Sequence, residues 1–137
     1  MAGGDYKNYK DLYTDKTTDL DILTGTAAYA NVIAAKSAAH QIFIQKITLS
    51  ITTHVAADRY LFDDDGAGAE VAAHTDAAAG AGVDSVIVWD FGPKGTPLAV
   101  GANLDVSHSG AGVAKVHIEA YERLMTPISY LSGAALQ

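Results

Sequence analysis

The chain has 137 residues, 9 Lys and Arg against 16 Asp and Glu, a formal net charge of −7 and no cysteine. One domain with its own core fits this length, and the missing thiols exclude disulfide staples and thiolate metal centres. Acidity without a Lys/Arg cluster argues against nucleic-acid binding, which depends on neutralising phosphates. No apolar run approaches the ~20 residues of a membrane span, so no membrane partner is expected. Met1-Ala-Gly-Gly-Asp5 opens on no apolar leader, so synthesis and assembly in the cytoplasm are expected. Hydrophobic residues make up 49% of the chain, but many are alanines. A thin core, helped by association, is the corresponding expectation.

Residues 1–25 read as an N-terminal arm. Charged side chains from Asp5 to Asp21 alternate there with Tyr6, Tyr9 and Tyr13. The i, i+3, i+7 spacing of these tyrosines would align them on one face of a short helix. Either the segment is a solvated terminus, or it docks on a neighbour through its tyrosines, which give large contact area at low entropic cost.

Residues 26–124 read as a β-sandwich domain. Thr26–Ala39 is small and apolar; alanine favours helix by propensity, but Val32-Ile33 reads as a first strand followed by a loop. His40–His54 is the clearest strand. Ile42 and Ile44 share one parity, Ile47, Leu49 and Ile51 the other, and the switch at Gln45-Lys46 predicts a β-bulge that keeps all five facing one core. Arg59–Phe62 is a short strand leading into Asp63-Asp64-Asp65-Gly66. Adjacent carboxylates lack the alternate spacing of an EF-hand loop, so a solvated turn is expected there, with a weak cation site as the alternative. Glu70–His74 reads as a weak or edge strand before an alanine- and glycine-rich surface loop. In Asp84–Gly92, Val86, Val88 and Asp90 take one side and Ile87, Trp89 and Phe91 the other. Trp89 fits an anchor in the core or at its rim better than a ligand platform.

After a Gly92–Pro97 turn, Leu104 and Val106 alternate with polar neighbours, then comes Ser109-Gly-Ala-Gly112, then Val116, Ile118 and Ala120 alternate with Lys115, His117, Glu119 and Tyr121. Alternation on both sides of a glycine turn predicts a β-hairpin. Residues 125–137 lose alternation and read as a C-terminal tail, whose Ile128, Tyr130 and Leu131 call for a partner surface. Short strands separated by turns, with no long helical pattern, predict an all-β fold: an antiparallel, jelly-roll-like β-sandwich with extended arms at both ends.

No catalytic, cofactor-binding or metal residue is assigned. His40, His54, His74, His108 and His117 show no zinc-site spacing and are expected on strand ends or exposed faces. Neither a G-x-S-x-G elbow nor a phosphate loop is present, Gly110-Ala-Gly112 reads as a turn rather than a dinucleotide loop, and no nucleophile–base pair stands out.

Three stretches taken together, Val32–Ser50, Phe91–Ser107 and Ser109–Tyr121, combine an I-x-I-x-x-I-x-L strand with a G-x-P-L-x-x-G-x-x-L-x-V segment and a final alternating strand. Over residues 30–123 the chain resembles the capsid decoration or cement proteins of tailed bacteriophages. The resemblance implies a jelly-roll-like structural virion protein on the capsid exterior, without enzymatic activity, that clamps adjacent major capsid protein subunits as a homodimer or homotrimer. Tyr6, Tyr9, Tyr13, Ile128, Tyr130 and Leu131 would then be the expected partner contacts. The alternative reading is a phage tail, fibre or surface sandwich that binds carbohydrate or a receptor.

Overall fold

The computed structural model describes residues 13–65 and 68–125. These form ten strands: β1 (Tyr13–Asp15), β2 (Thr18–Ile22), β3 (Ala28–Ile33), β4 (His40–Thr53), β5 (Arg59–Asp64), β6 (Glu70–Thr75), β7 (Val86–Asp90), β8 (Thr96–Pro97), β9 (Leu104–Ser107) and β10 (Val113–Leu124). No helix occurs among the described residues. One sheet runs β1-β10-β4-β7, with β2 also on β10 and β8 also on β4; the other runs β3-β9-β5-β6. Every pairing is antiparallel.

The strand order is that of a jelly roll. β2 pairs β10, β3 pairs β9, β4 pairs β7 and β5 pairs β6. The chain is one long hairpin folded over into two sheets. Their inner faces enclose Ile22, Ile42, Ile44, Ile47, Leu49, Tyr60, Phe62, Leu104 and Ile118, each 0% exposed. The core is therefore dense in isoleucine, with few buried alanines, and not the thin alanine core that composition suggested. β-Branched side chains are restricted at χ1 and pack well on a pleated surface.

The bulge in β4 falls where the parity switches. Glu119 lies opposite Lys46 and Ala120 opposite Ile44, leaving Gln45 as the extra residue. Ile44 and Ile47 are consequently both buried although three positions apart. Glu70–Thr75 is an edge strand, as its sequence implied. Trp89 packs on the core, edge-on to Phe62 at 5.7 Å between ring centroids.

The expected hairpin is not formed. β9 belongs to the β3-β9-β5-β6 sheet and β10 to the other, so Ser109–Gly112 crosses between sheets. Alternation reports that a strand has one buried face; it does not say which sheet that strand joins, because both sheets face the same core. Buried Asp58 fixes the crossing. Its Oδ1 accepts the Ser109 N–H at 2.8 Å and its Oδ2 the Gly112 N–H at 3.0 Å. Burial pushes the Asp58 carboxyl up, but these bonds and His108 outweigh it and hold the group below the usual carboxylate range. Gly112 has no room for a side chain, since a Cβ there would overlap the Tyr60 hydroxyl and Asp58 Oδ2.

Two of the histidines, although at the strand ends expected of them, are buried: His40 opens β4 and His108 directly follows β9. His108 has a fully buried side chain in which Nδ1 lies 3.2 Å from Asp58 Oδ2 and Nε2 2.7 Å from the Thr26 carbonyl. Its ring stacks on Tyr60 at 5.3 Å. His40 is buried as well, with Nδ1 2.7 Å from Ser37 Oγ.

Three more buried carboxylates secure loops in the same manner. Asp64 Oδ2 accepts the Ala99 N–H at 2.6 Å, Asp76 Oδ2 accepts the Val55 N–H at 3.2 Å, and Glu122 Oε2 accepts the Lys36 N–H at 3.0 Å. Buried backbone donors need partners, and side chains supply them where loops leave the sheets. The Asp63–Asp65 run is thus not a solvated turn. Asp64 is buried, and Asp65 accepts bonds from the backbone and side-chain nitrogens of Asn103 at 2.8 and 3.2 Å. Asp63 faces Asp105 across the sheet; burial and then that second charge push its carboxyl above the usual range. Among the described residues no group of three or more metal-ligating side chains is placed to hold a metal ion.

Candidate interaction surface

Period-two alternation turns Lys115, His117, Glu119, Tyr121 and Arg123 of β10 outward, while Val116, Ile118 and Ala120 enter the core. β4 runs alongside and places Phe43 opposite Tyr121; β1 lies on the other flank and places Tyr13 opposite Arg123. At this end of the face Tyr13, Phe43, Tyr121 and Arg123 therefore gather, flanked by Gln41 and Asp15. Phe43 and Tyr121 stack at 5.0 Å with an interplanar angle of 8°, and Tyr13 sits 6.3 Å from Tyr121. The Arg123 guanidinium carbon lies 5.4 Å from the centre of the Tyr13 ring and 5.8 Å from that of Phe43, within cation–π range. The Tyr121 hydroxyl donates to the Lys94 carbonyl at 2.7 Å, which fixes the ring from the β7–β8 side.

The bulge opens a groove beside this cluster. Tyr13, Thr14, Asp15, Gln45, Ala120 and Tyr121 line an open cavity of about 330 Å³. An extra residue bends its strand and increases local twist, and Gln45 at the bulge contributes to the groove wall. The Gln45 amide nitrogen donates to the Pro93 carbonyl at 2.7 Å. On the opposite wall Asp15 accepts bonds from the hydroxyl and backbone N–H of Thr17 at 2.7 and 3.0 Å, which hold its carboxyl below the usual range. Away from this corner the face turns polar, with His117 Nδ1 2.6 Å from Asp19 Oδ1.

Of the six residues expected to contact a partner, only Tyr13 is among those described. It is 45% exposed and lies in a strand. The helical alignment drawn from its spacing to Tyr6 and Tyr9 therefore does not reach Tyr13, because pairing with β10 claims its backbone. Tyr6, Tyr9, Ile128, Tyr130 and Leu131 lie outside the described residues. Of the segment read as an N-terminal arm, residues 13–15 and 18–22 are strands β1 and β2, and Ile22 is fully buried.

Tyr13 pairs with Arg123 and Leu124 with His40, while the Met125 N–H bonds the Ala39 carbonyl at 2.8 Å. Residues 1–12 and 126–137 consequently join the body at the same end of the sheet, on adjacent strands, beside the aromatic cluster. Phe43, Gln45 and Arg123 are the surface residues that sequence reasoning missed. A signal existed for two of them: Phe43 is the lone aromatic on the outward parity of the long strand, and Arg123 continues the outward row two places past Tyr121.

No family model, curated protein or solved structure matches the chain.

Proposed function

We propose that this is a structural virion protein that binds the outside of a tailed-phage capsid and clamps neighbouring major capsid protein subunits. One observation supports the reading most. Both terminal segments, which carry the tyrosines and aliphatic residues suited to a partner, join the body beside a Tyr–Phe–Tyr–Arg cluster on an open sheet face. Tyrosine and arginine are the residues that dominate interface energetics, and arms and patch together allow several modest contacts to act as one multivalent attachment. Self-association as a dimer or trimer belongs to the same reading.

The test is co-sedimentation of purified protein with expanded capsids. The full chain should bind saturably. Tyr121→Ala with Arg123→Ala, or removal of residues 1–12 and 126–137, should lower occupancy at least tenfold while the circular dichroism spectrum stays that of a β-protein. Equal occupancy for all variants would remove the reading. A clustered set of aromatics is also what a carbohydrate-binding module would need, but here Phe43 and Tyr121 cover each other and Arg123 lies over two of the rings. Binding to a glycan panel in place of capsids would favour that alternative.

A further inference from the structure

At the opposite end of β4 from the aromatic cluster, three polar side chains from separate parts of the chain form a hydrogen-bonded line. His54 follows β4, Asp76 follows β6 and Ser85 precedes β7. His54 Nδ1 lies 2.9 and 3.0 Å from the two oxygens of Asp76, and His54 Nε2 lies 3.2 Å from Ser85 Oγ. The Asp76 side chain is 1% exposed and that of His54 9%, whereas Ser85 is exposed to solvent.

The order of roles follows from the donors and acceptors. An ionised carboxylate only accepts, so the imidazole hydrogen sits on Nδ1 and the Nε2 lone pair faces the serine hydroxyl. Asp76 is held in turn by the Val55 N–H at 3.2 Å, and its own backbone bonds Asp58 and Ala57. Two further titratable groups face this carboxylate: His74, with Nε2 3.9 Å from Asp76 Oδ1, and Tyr60, whose phenol is pushed up by burial and by the charges of Asp58 and Asp76. The base is thus oriented by a buried acid and the nucleophile is accessible, which is the geometry that defines a Ser–His–Asp relay irrespective of fold.

An electrophile at Ser85 also meets a backbone donor. Ser85 O and Phe91 N bond to β4, so strand alternation turns the N–H of Val86 away from β4. β7 is the sheet edge, and that N–H, one residue beyond the nucleophile, points to the open side, where it can meet a developing oxyanion.

We propose that Ser85 is an activated nucleophile for acyl transfer from small activated esters. Ser85 Oγ bonds to the ester carbonyl carbon as its proton passes to His54 Nε2. The carbon–oxygen bond to the alcohol then breaks, and the leaving oxygen takes that proton. Water, deprotonated by the same nitrogen, releases the carboxylic acid and restores the serine. Ser37 provides an internal contrast: it lies 2.7 Å from His40 Nδ1, but its oxygen accepts the Ala39 N–H within a local turn, and no carboxylate pairs with His40 among the described residues.

The experiment treats the full-length protein with an alkyl fluorophosphonate, which forms a bond to a reactive serine with loss of fluoride, and maps the adduct by peptide mass spectrometry. A single adduct on Ser85, absent in Ser85→Ala and formed about 100-fold more slowly in His54→Gln, is the expected result. p-Nitrophenyl acetate turnover should fall in step with labelling. No adduct on the folded wild-type chain, or labelling that also falls on Ser37, Ser50 or Ser109, would overturn the assignment. Because the wild-type adduct is read directly, the result stands even if His54→Gln fails to fold.

Discussion

Asp58 illustrates how much a single buried side chain can organise. It ties the β9–β10 crossing to the start of β5 through two backbone N–H groups and His108. A group whose carboxyl is held low in the folded state contributes stability above its unfolded pKa of ~3.9, and that contribution is lost as pH falls through the folded value. Asp58→Asn presents an NH₂ to donors and should cost roughly 1–3 kcal/mol. Chemical denaturation at pH 7 and pH 3 should show the gap between variant and wild type narrowing at the lower pH. Gly112→Ala should destabilise by about 1–3 kcal/mol through overpacking against Asp58 and Tyr60, seen as a lower denaturation midpoint at unchanged slope. Asp63 carries the opposite sign. Its carboxyl is pushed up by burial and by Asp105, so its ionised form weakens the fold at neutral pH and protonation on acidification relieves it. Asp63→Asn should therefore stabilise at pH 7 by a few tenths to about 1 kcal/mol, as expected from removing like charges directly opposite one another, with the gain fading as pH falls through the raised value.

Among the elements, β4 was the most legible and β9–β10 the least. The parity switch in His40–His54 located a bulge without coordinates, because five large aliphatics can share one core only if a residue is looped out. That logic makes a sharp prediction. Deleting Gln45 leaves Ile42, Ile44, Ile47, Leu49 and Ile51 in unbroken alternation, so the shortened chain should fold with a midpoint close to wild type while losing the Gln45 wall of the groove and with it partner binding. The β9–β10 crossing was not legible because its determinant, Asp58, lies about fifty residues away and reads in sequence as one acidic loop residue among several. The same holds for Asp76, whose burial depends on which loops the fold brings to it. Of the surface, the outward row of β10 could be read directly. Its joining with Phe43 and Tyr13 could not, since strand neighbours in a jelly roll are far apart in sequence.

For the molecule as a whole, the fold places most pairings between distant parts of the chain: β2 with β10, β3 with β9 and β4 with β7. Topologies of this kind close large loops before any pairing is rewarded, and they fold in milliseconds to seconds. The acidic charge is spread over loops and edges, where Asp19 and Asp21 mark the β2 edge with charges of the kind that discourage unwanted strand pairing.

That first and last strands lie side by side has a meaning for the chain as a line in space. Residues 13 and 123 face each other as strand partners, with Cα atoms ~5 Å apart, so the body is nearly a closed ring cut at one place. The cut can be moved. Joining Met125 to Tyr13 by a short glycine linker and opening the chain within the exposed 77–82 loop should give a circular permutant with the same β-spectrum and a cooperative thermal transition. Such a permutant would carry its free ends away from the aromatic corner, leaving the two sheets as they are.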